Sequence, residues 1–257
     1  MLELAPPIVA TAQLAPYFDA LIFGEPALAQ TAQPGQFVAV RMAHADSYDP
    51  VHRFGLPIAG IDRDANTITL LSPTTGGFRD RSNLRVGDTL NLLGPLGQGW
   101  LTEPRTRQLL LLGTVATVGS LLALAADGLR RQCAVTLILG GPIGPGLPAQ
   151  LIPSAVEYHL GRGPDPAAVA LELLDDASLR WADAIYTTLP AAAWPILANR
   201  IEQIRMRWER GFAQVAVDLT VPCAVGVCGV CELPVGRKAK LICINGPIFD
   251  LRDLTRG

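Results

Sequence analysis

Blocks of like charge are missing from this chain. Among its 257 residues, 21 Lys and Arg stand against 23 Asp and Glu, a formal charge of -2 with no basic or acidic run. A nucleic-acid partner requires a basic face to neutralise phosphates, so that class of function is set aside. Histidine is scarce: His44, His52 and His159 are the only three, and none stands at ligand spacing to a cysteine. A histidine-built metal site is therefore not expected, and all three read as structural or solvent-facing. No secretory leader is expected either, because Met1-Leu2-Glu3-Leu4 starts acidic and Pro6-Pro7 interrupts any apolar run. Internal repeats and low-complexity segments are absent beyond a bias towards Ala and Leu. The one long uncharged stretch, Leu109 to Ala126, carries Gly113, Thr114, Thr117, Gly119 and Ser120 in its middle. Such a centre suits a buried strand, a turn and a helix better than a membrane span.

What the chain does have is apolar content and a crowd of cysteines. Apolar residues make up 49% and mean hydropathy is +0.30, enough for a sizeable core and against disorder. Four of the five cysteines lie close to the carboxyl end as Cys223-x4-Cys228-x2-Cys231-x11-Cys243. The first three follow the C-x4-C-x2-C run of plant-type [2Fe–2S] proteins. Zinc sites more often use two short knuckles. Buried thiols or a disulfide set are the remaining readings. Ala224, Val225, Gly226 and Val227 fill the first gap and Gly229 splits the second. Small residues there let the backbone wrap a cluster and aim N–H groups at its sulfurs, which tunes the reduction potential. Arg237, Lys238 and Lys240, between the third and fourth cysteines, suit either charge compensation or a solvated turn. Cys133 stands apart at a helix-to-strand junction and reads as a small buried hydrophobe. Thiol-ligated iron fits a reducing cytoplasm.

Along the chain the period of the pattern changes once. Short apolar runs at 8–12, 21–23, 37–41, 57–61, 67–71 and 89–93 are separated by turns such as Gln33-Pro34-Gly35 and Val86-Gly87-Asp88. That spacing predicts a β-barrel or sandwich. From Gln108 onwards strands alternate with helices: strands at 108–112, 134–139, 156–160, 183–187 and 212–219, with helices at 118–131, 166–174 and 190–207. Such alternation predicts a doubly wound α/β domain. The expected division is 1–103 for the barrel, 104–214 for the α/β domain and 215–257 for the cysteine segment.

These features together resemble the ferredoxin-reductase superfamily, and more closely the electron-transfer subunit of two-subunit dihydroorotate dehydrogenase. The likeness rests on Pro34-Gly35-Gln36-Phe37-Val38, Val86-Gly87-Asp88, Leu93-Gly94-Pro95-Leu96-Gly97, Leu121-Leu122-Ala123-Leu124 and, most specifically, Cys243-Ile244-Asn245-Gly246-Pro247-Ile248-Phe249. The resemblance implies FAD in the barrel, a [2Fe–2S] cluster on Cys223, Cys228, Cys231 and Cys243, and NAD against the α/β domain. It also implies a partner catalytic flavoprotein subunit that oxidises dihydroorotate in pyrimidine biosynthesis. The chain is then a component of an oxidoreductase rather than a self-sufficient enzyme.

The chain departs from that family in its nucleotide motifs. The family's Arg-Pro-x-Ser flavin segment reads Leu56-Pro57-Ile58-Ala59 here, with Arg53 three residues upstream, and its Gly-x-Gly-Thr turn reads Thr75-Gly76-Gly77-Phe78. Candidate FAD contacts are therefore Arg53, Leu56, Pro57, Ile58, Gly76 and Gly77. Arg53 is equally well read as a loop arginine, and Tyr48 as a half-buried tyrosine rather than a stacking ring. The glycine run that admits a dinucleotide pyrophosphate is replaced by Gly113-Thr114-Val115-Ala116-Thr117-Val118-Gly119-Ser120, and a Cys-Gly-Pro strand end by Thr187-Thr188-Leu189-Pro190. NAD binding is expected to be weak or lost. Two other functions stay open: an iron–sulfur relay or assembly subunit without NAD, and a zinc-stabilised structural module.

Overall fold

The computed structural model describes residues 2–14, 18–41, 52–73, 84–144, 147–205 and 208–255. The amino-terminal half contributes β1 (Leu2–Leu4), β2 (Ile8–Leu14), β3 (Phe18–Gly24), helix α1 (Pro26–Thr31), β4 (Phe37–Arg41), β5 (Arg53–Asp62), β6 (Thr67–Pro73) and β7 (Asn91–Leu96). They form a seven-stranded antiparallel sheet in the order β1-β7-β4-β5-β6-β3-β2. The sheet curls until Ile8 N–H donates to the Asp88 carbonyl (2.8 Å) and Gly87 N–H to the Ile8 carbonyl (2.8 Å). Among the described residues this contact, with a bridge between Pro7 and Thr89, takes the place of a full closing ladder. Strand alternation decides the packing. Val38 and Val40 of β4 point into the core of the curled sheet with Ile8, Phe23, Ile58, Ile68, Leu70 and Leu92. Phe37 and Ala39, on the opposite face, are equally buried but pack against the carboxyl-terminal segment.

Next come β8 (Gln108–Thr114), a 3-10 turn (Val115–Thr117), α2 (Gly119–Arg130), β9 (Ala134–Gly141), β10 (Glu157–Arg162), α3 (Pro166–Leu173), α4 (Asp176–Trp181), β11 (Ala184–Thr187), α5 (Trp194–Arg205) and β12 (Ala213–Ala216). Leu109 to Leu112 are all fully buried, as befits a central parallel strand covered on both faces. Helix α3 starts where Asp165 accepts from the N–H groups of Ala167 and Ala168, with Pro166 as its first residue. Helix α4, not expected from the sequence, is capped in the same way by Asp175. The sheet order is β10-β9-β8-β11-β12 followed by β15 (Ile248–Asp250), parallel except for this last member. Chain order therefore reverses between β8 and β11, the point at which doubly wound folds take ligands.

The last stretch holds β13 (Glu232–Val235), β14 (Lys238–Leu241), α6 (Ile242–Asn245), β15 (Ile248–Asp250) and α7 (Leu251–Thr255). β13 and β14 make a hairpin, while β15 returns to pair antiparallel with β12. Val217 N–H donates to the Pro247 carbonyl (2.9 Å), so the excursion from 217 to 247 is tied at its base. The two sheets share one core, in which Ala59 and Leu71 meet Val118, Leu121 and Leu122.

Candidate metal centre and adjoining cleft

The cysteine loop is shaped by backbone in the left-handed region, which favours glycine. Ala224, Gly226 and Gly229 have φ of 59°, 78° and 70°. A Cβ on Gly226 would also stand 2.9 Å from Ile244 Cγ1. These turns direct amide groups inwards. The N–H groups of Cys228, Val225 and Val227 donate to Cys223 Sγ, and the Gly226 N–H donates to Cys243 Sγ. Burial pushes the Cys223 thiol up, but the amides of Cys228 and Val225, the Cys228 thiol and the Val227 amide outweigh it, bringing the thiol down to about 6. Cys243 is pushed up to about 12, first by burial and then by the adjoining Cys231. Amides aimed at sulfur favour thiolate, the form that binds metal.

The four thiols fall into two pairs. Cys231 Sγ and Cys243 Sγ are 3.3 Å apart, both residues being almost wholly buried. Cys223 lies beside Cys228, Cys223 half-buried and Cys228 exposed. None of the described cysteines is in a disulfide. Two sulfurs on one tetrahedral metal with bonds of about 2.3 Å lie about 3.7 Å apart, so one pair per metal fits this spacing. Among the described residues no three His, Cys, Asp or Glu side chains converge on a single point. Cys231 thus stands against Cys243 and Cys223 beside Cys228, four sulfur donors in one loop region.

The inner pair sits among Phe37, Ala39, Leu93 and Leu96 of the first sheet together with Val221, Ile242 and Phe249. Two glycines allow that approach. A Cβ on Gly55 would meet Val221 Cγ2 at 2.6 Å and Leu219 Cβ at 2.9 Å; one on Gly97 would meet the Gly246 carbonyl oxygen at 2.5 Å. Arg53 N–H donates to the Pro222 carbonyl (3.0 Å) and Gln98 N–H to that of Gly246 (2.6 Å). Gly55 was not singled out in the sequence, although an isolated glycine within a strand pattern signals such a contact.

Beside this junction lies a cleft of about 720 Å³. Leu56, Pro57, Leu71, Val217, Leu219 and Pro247 give it an apolar wall, and Thr114, Thr117, Thr188 and Trp194 line it as well. Of the expected FAD contacts, Leu56 and Pro57 line this cleft, whereas Ile58 points the opposite way into the core of the first sheet. Arg53 is the first residue of β5 rather than part of a loop. Its guanidinium is held by Glu3 Oε1 (2.8 Å) and Asn91 Oδ1. Asn91 and Arg53 in turn hold the Glu3 carboxyl below its ordinary range. Gly76 and Gly77 lie outside the described residues, as do His44 and Tyr48. His52 packs its ring near Phe54, and His159 pairs with Glu157 on the edge strand β10. Cys133 is buried and donates to the Thr106 carbonyl.

The expected FAD has a partial fit. The apolar wall of the cleft suits an uncharged isoalloxazine ring, while the described side chains that line it include no cation to meet the phosphates. The four thiols fit a two-iron cluster by number, pairing and amide donors.

Known proteins agree with this geometry. Residues 220–255 match the family model of the iron–sulfur cluster binding domain of dihydroorotate dehydrogenase B. The chain is 27% identical over 235 residues to the dihydroorotate dehydrogenase B (NAD(+)) electron transfer subunit of Shouchella clausii (strain KSM-K16), covering 87% of this chain and 86% of that one. It is 29% identical over 227 residues to the subunit of the same name from Geobacillus kaustophilus (strain HTA426), covering 84% of each. Among solved structures, the NADH-dependent reduced ferredoxin-NADP oxidoreductase superposes with a TM-score of 0.76 at 20% identity, over 96% of this chain and 88% of that one. Phthalate dioxygenase reductase superposes with a TM-score of 0.60 at 14% identity, over 84% of this chain and 68% of that one. Over most of its length the chain is similar to electron-transfer subunits of dihydroorotate dehydrogenase B, its carboxyl end matches the model of their iron–sulfur cluster binding domain, and its fold is like that of the ferredoxin-NADP oxidoreductase.

Proposed function

We propose that this chain is an electron-transfer subunit that holds a [2Fe–2S] cluster and passes electrons between a flavin and a partner catalytic subunit acting on dihydroorotate, in pyrimidine biosynthesis. The observation that carries the reading is the two-by-two arrangement of cysteines with backbone amides aimed at their sulfurs. Cys223 and Cys228 would hold the outer iron, Cys231 and Cys243 the inner one. When bound, flavin supplies hydride and single-electron chemistry and the cluster single-electron chemistry only.

The residues of the chain divide the remaining work. The amides of Val225, Gly226, Val227 and Cys228 stabilise negative charge on the sulfurs and so raise the reduction potential. Phe37, Leu93, Leu96 and Phe249 keep water from the inner pair. Leu56 and Pro57 offer the wall of the cleft to the flavin ring. The Arg53 amide joins the strand bearing that wall to the residue preceding Cys223. At the opposite end Cys228 is exposed amid Val225, Val227, Val230 and Ile244, a solvent-facing apolar rim suited to a protein partner. No helix among the described residues is long and apolar enough to cross a membrane. A reducing cytoplasm is the proposed location, since it preserves the thiolates.

The test is cofactor analysis of anaerobically purified or reconstituted protein. About two irons and two acid-labile sulfides per chain are expected, with a paramagnetic signal on chemical reduction. Stoichiometric zinc without sulfide would overturn the reading.

A further inference from the structure

The point where the strand order reverses, between the carboxyl ends of β8 and β11, is the natural seat for a nucleotide. A pyrophosphate bound there needs open amide groups at the start of the following helix, room for close approach, and no facing carboxylate. This chain departs from them in its bonded hydroxyls, in the filled space above Gly113 and in the charge that lines the cleft. Thr117 Oγ1 lies 3.0 Å from Thr114 Oγ1 and 2.8 Å from Thr188 Oγ1, so the hydroxyls at the mouth of the crevice bond to one another across two strand ends. Three hydroxyls carry three donor protons, and these two contacts consume two of them. The Thr114 amide is turned towards Thr117 Oγ1, and the amides of Leu121 and Leu122 donate to the Val118 carbonyl. Ser120 Oγ accepts from Trp100 Nε1 (3.1 Å).

The space directly above the end of β8 is filled as well. A Cβ on Gly113 would stand 2.3 Å from Thr188 Oγ1, so that hydroxyl fills the space above the glycine. Gly119, at the start of α2, faces Pro57, Ala59 and Leu71 of the first sheet. Among the described residues that line the cleft, the charged side chains are Asp165 and Asp218, both carboxylates. Asp165 caps α3 and Asp218 accepts from the Leu219 amide, which holds both in place.

We propose that the threonine chain Thr114–Thr117–Thr188 locks the α/β crevice against pyridine dinucleotides, leaving the apolar wall of the cleft to an uncharged ring system. NADH is then not the electron donor or acceptor of this subunit, in contrast to what the names of its relatives state for those proteins. The inference goes beyond the proposed function and stands without the cluster, because its primary readout is binding.

Calorimetric titration with ADP-ribose, which carries the pyrophosphate without redox chemistry, and with NADH tests it directly. Binding weaker than about 1 mM is expected for both ligands, against the micromolar range of a working site. In parallel, dithionite should bleach the iron–sulfur absorbance of anaerobic protein and NADH should leave it unchanged. Micromolar binding of either ligand, or bleaching by NADH, overturns the lock. Protein that dithionite fails to bleach discredits the cluster instead, while the titration still decides the lock. The double variant Thr117→Gly/Thr188→Gly should gain roughly tenfold or more in ADP-ribose affinity once its fold is verified by circular dichroism. A folded variant with no gain would show that the threonines are not what closes the crevice.

Discussion

Replacing Gly226 by alanine separates two physical demands on the cysteine loop. Its φ of 78° places any L-residue in the left-handed region, which costs about 1–2 kcal/mol. Loss of unfolded-state entropy returns about 0.4–1 kcal/mol, so the backbone effect alone is near 1 kcal/mol destabilising. The new methyl would also stand 2.9 Å from Ile244 Cγ1 and 3.3 Å from its Cδ1. Relieving that overlap adds about 1 kcal/mol, towards the low end for overpacking because a side-chain tip can yield. Gly229 and Gly236 are internal controls, with φ of 70° and 58° and nothing within 4 Å of an added Cβ. Their alanine variants should lose about 1 kcal/mol each, and Gly226→Ala about 2 kcal/mol. Urea denaturation at constant slope measures all three. The Gly226 amide also donates to Cys243 Sγ, so its variant alone should shift the cluster's reduction potential, while Gly236→Ala leaves it in place. Equal losses at 226 and 229, with an unshifted potential, would refute the argument.

Three further outcomes are expected. Cys228→Ser should abolish iron–sulfur absorbance and loosen the 217–247 excursion, whereas Cys133→Ser should keep its iron, as colorimetric iron assay will show. Gly55→Val should cost about 1–3 kcal/mol and raise amide exchange in residues 219–223, because its Cβ position already lies 2.6 Å from Val221 Cγ2; unchanged exchange there would count against the contact. Burial pushes the Tyr186 phenol up to about 12 from 10.0, despite its hydrogen bond to Thr102. The folded state therefore holds a proton that the unfolded chain releases. This contribution, roughly 2 kcal/mol, is intact below pH 10 and lost as pH rises towards 12. Tyr186→Phe should flatten that alkaline limb in denaturation midpoints measured across the range.

Much of the architecture could be read from the residue pattern because it rests on local physics. The uncharged run at Leu109–Leu112 marked a central strand, and the helix expected at 118–131 forms at Gly119–Arg130. The helix expected at 166–174 forms at Pro166–Leu173. Shorter elements escaped notice. Helix α1 has six residues and too few turns to display a period, and the half-buried start of β5, Arg53-Phe54-Gly55-Leu56, forms no continuous apolar run.

The sequence by itself supplied the candidate ligands, since their sulfur and their spacing are covalent facts: Cys223, Cys228, Cys231 and Cys243 stand at the C-x4-C-x2-C-x11-C spacing whatever the fold. It also exposed the loss of glycines after β8. Only the tertiary structure decided which thiols pair, that β15 returns to β12 and ties the cysteine excursion at its base, and that Thr188 closes over Gly113 from a strand seventy-odd residues away. Each of these depends on contacts between segments far apart in the chain. Such contacts are set by how the two sheets bury their shared core, and no local pattern of residues carries that information.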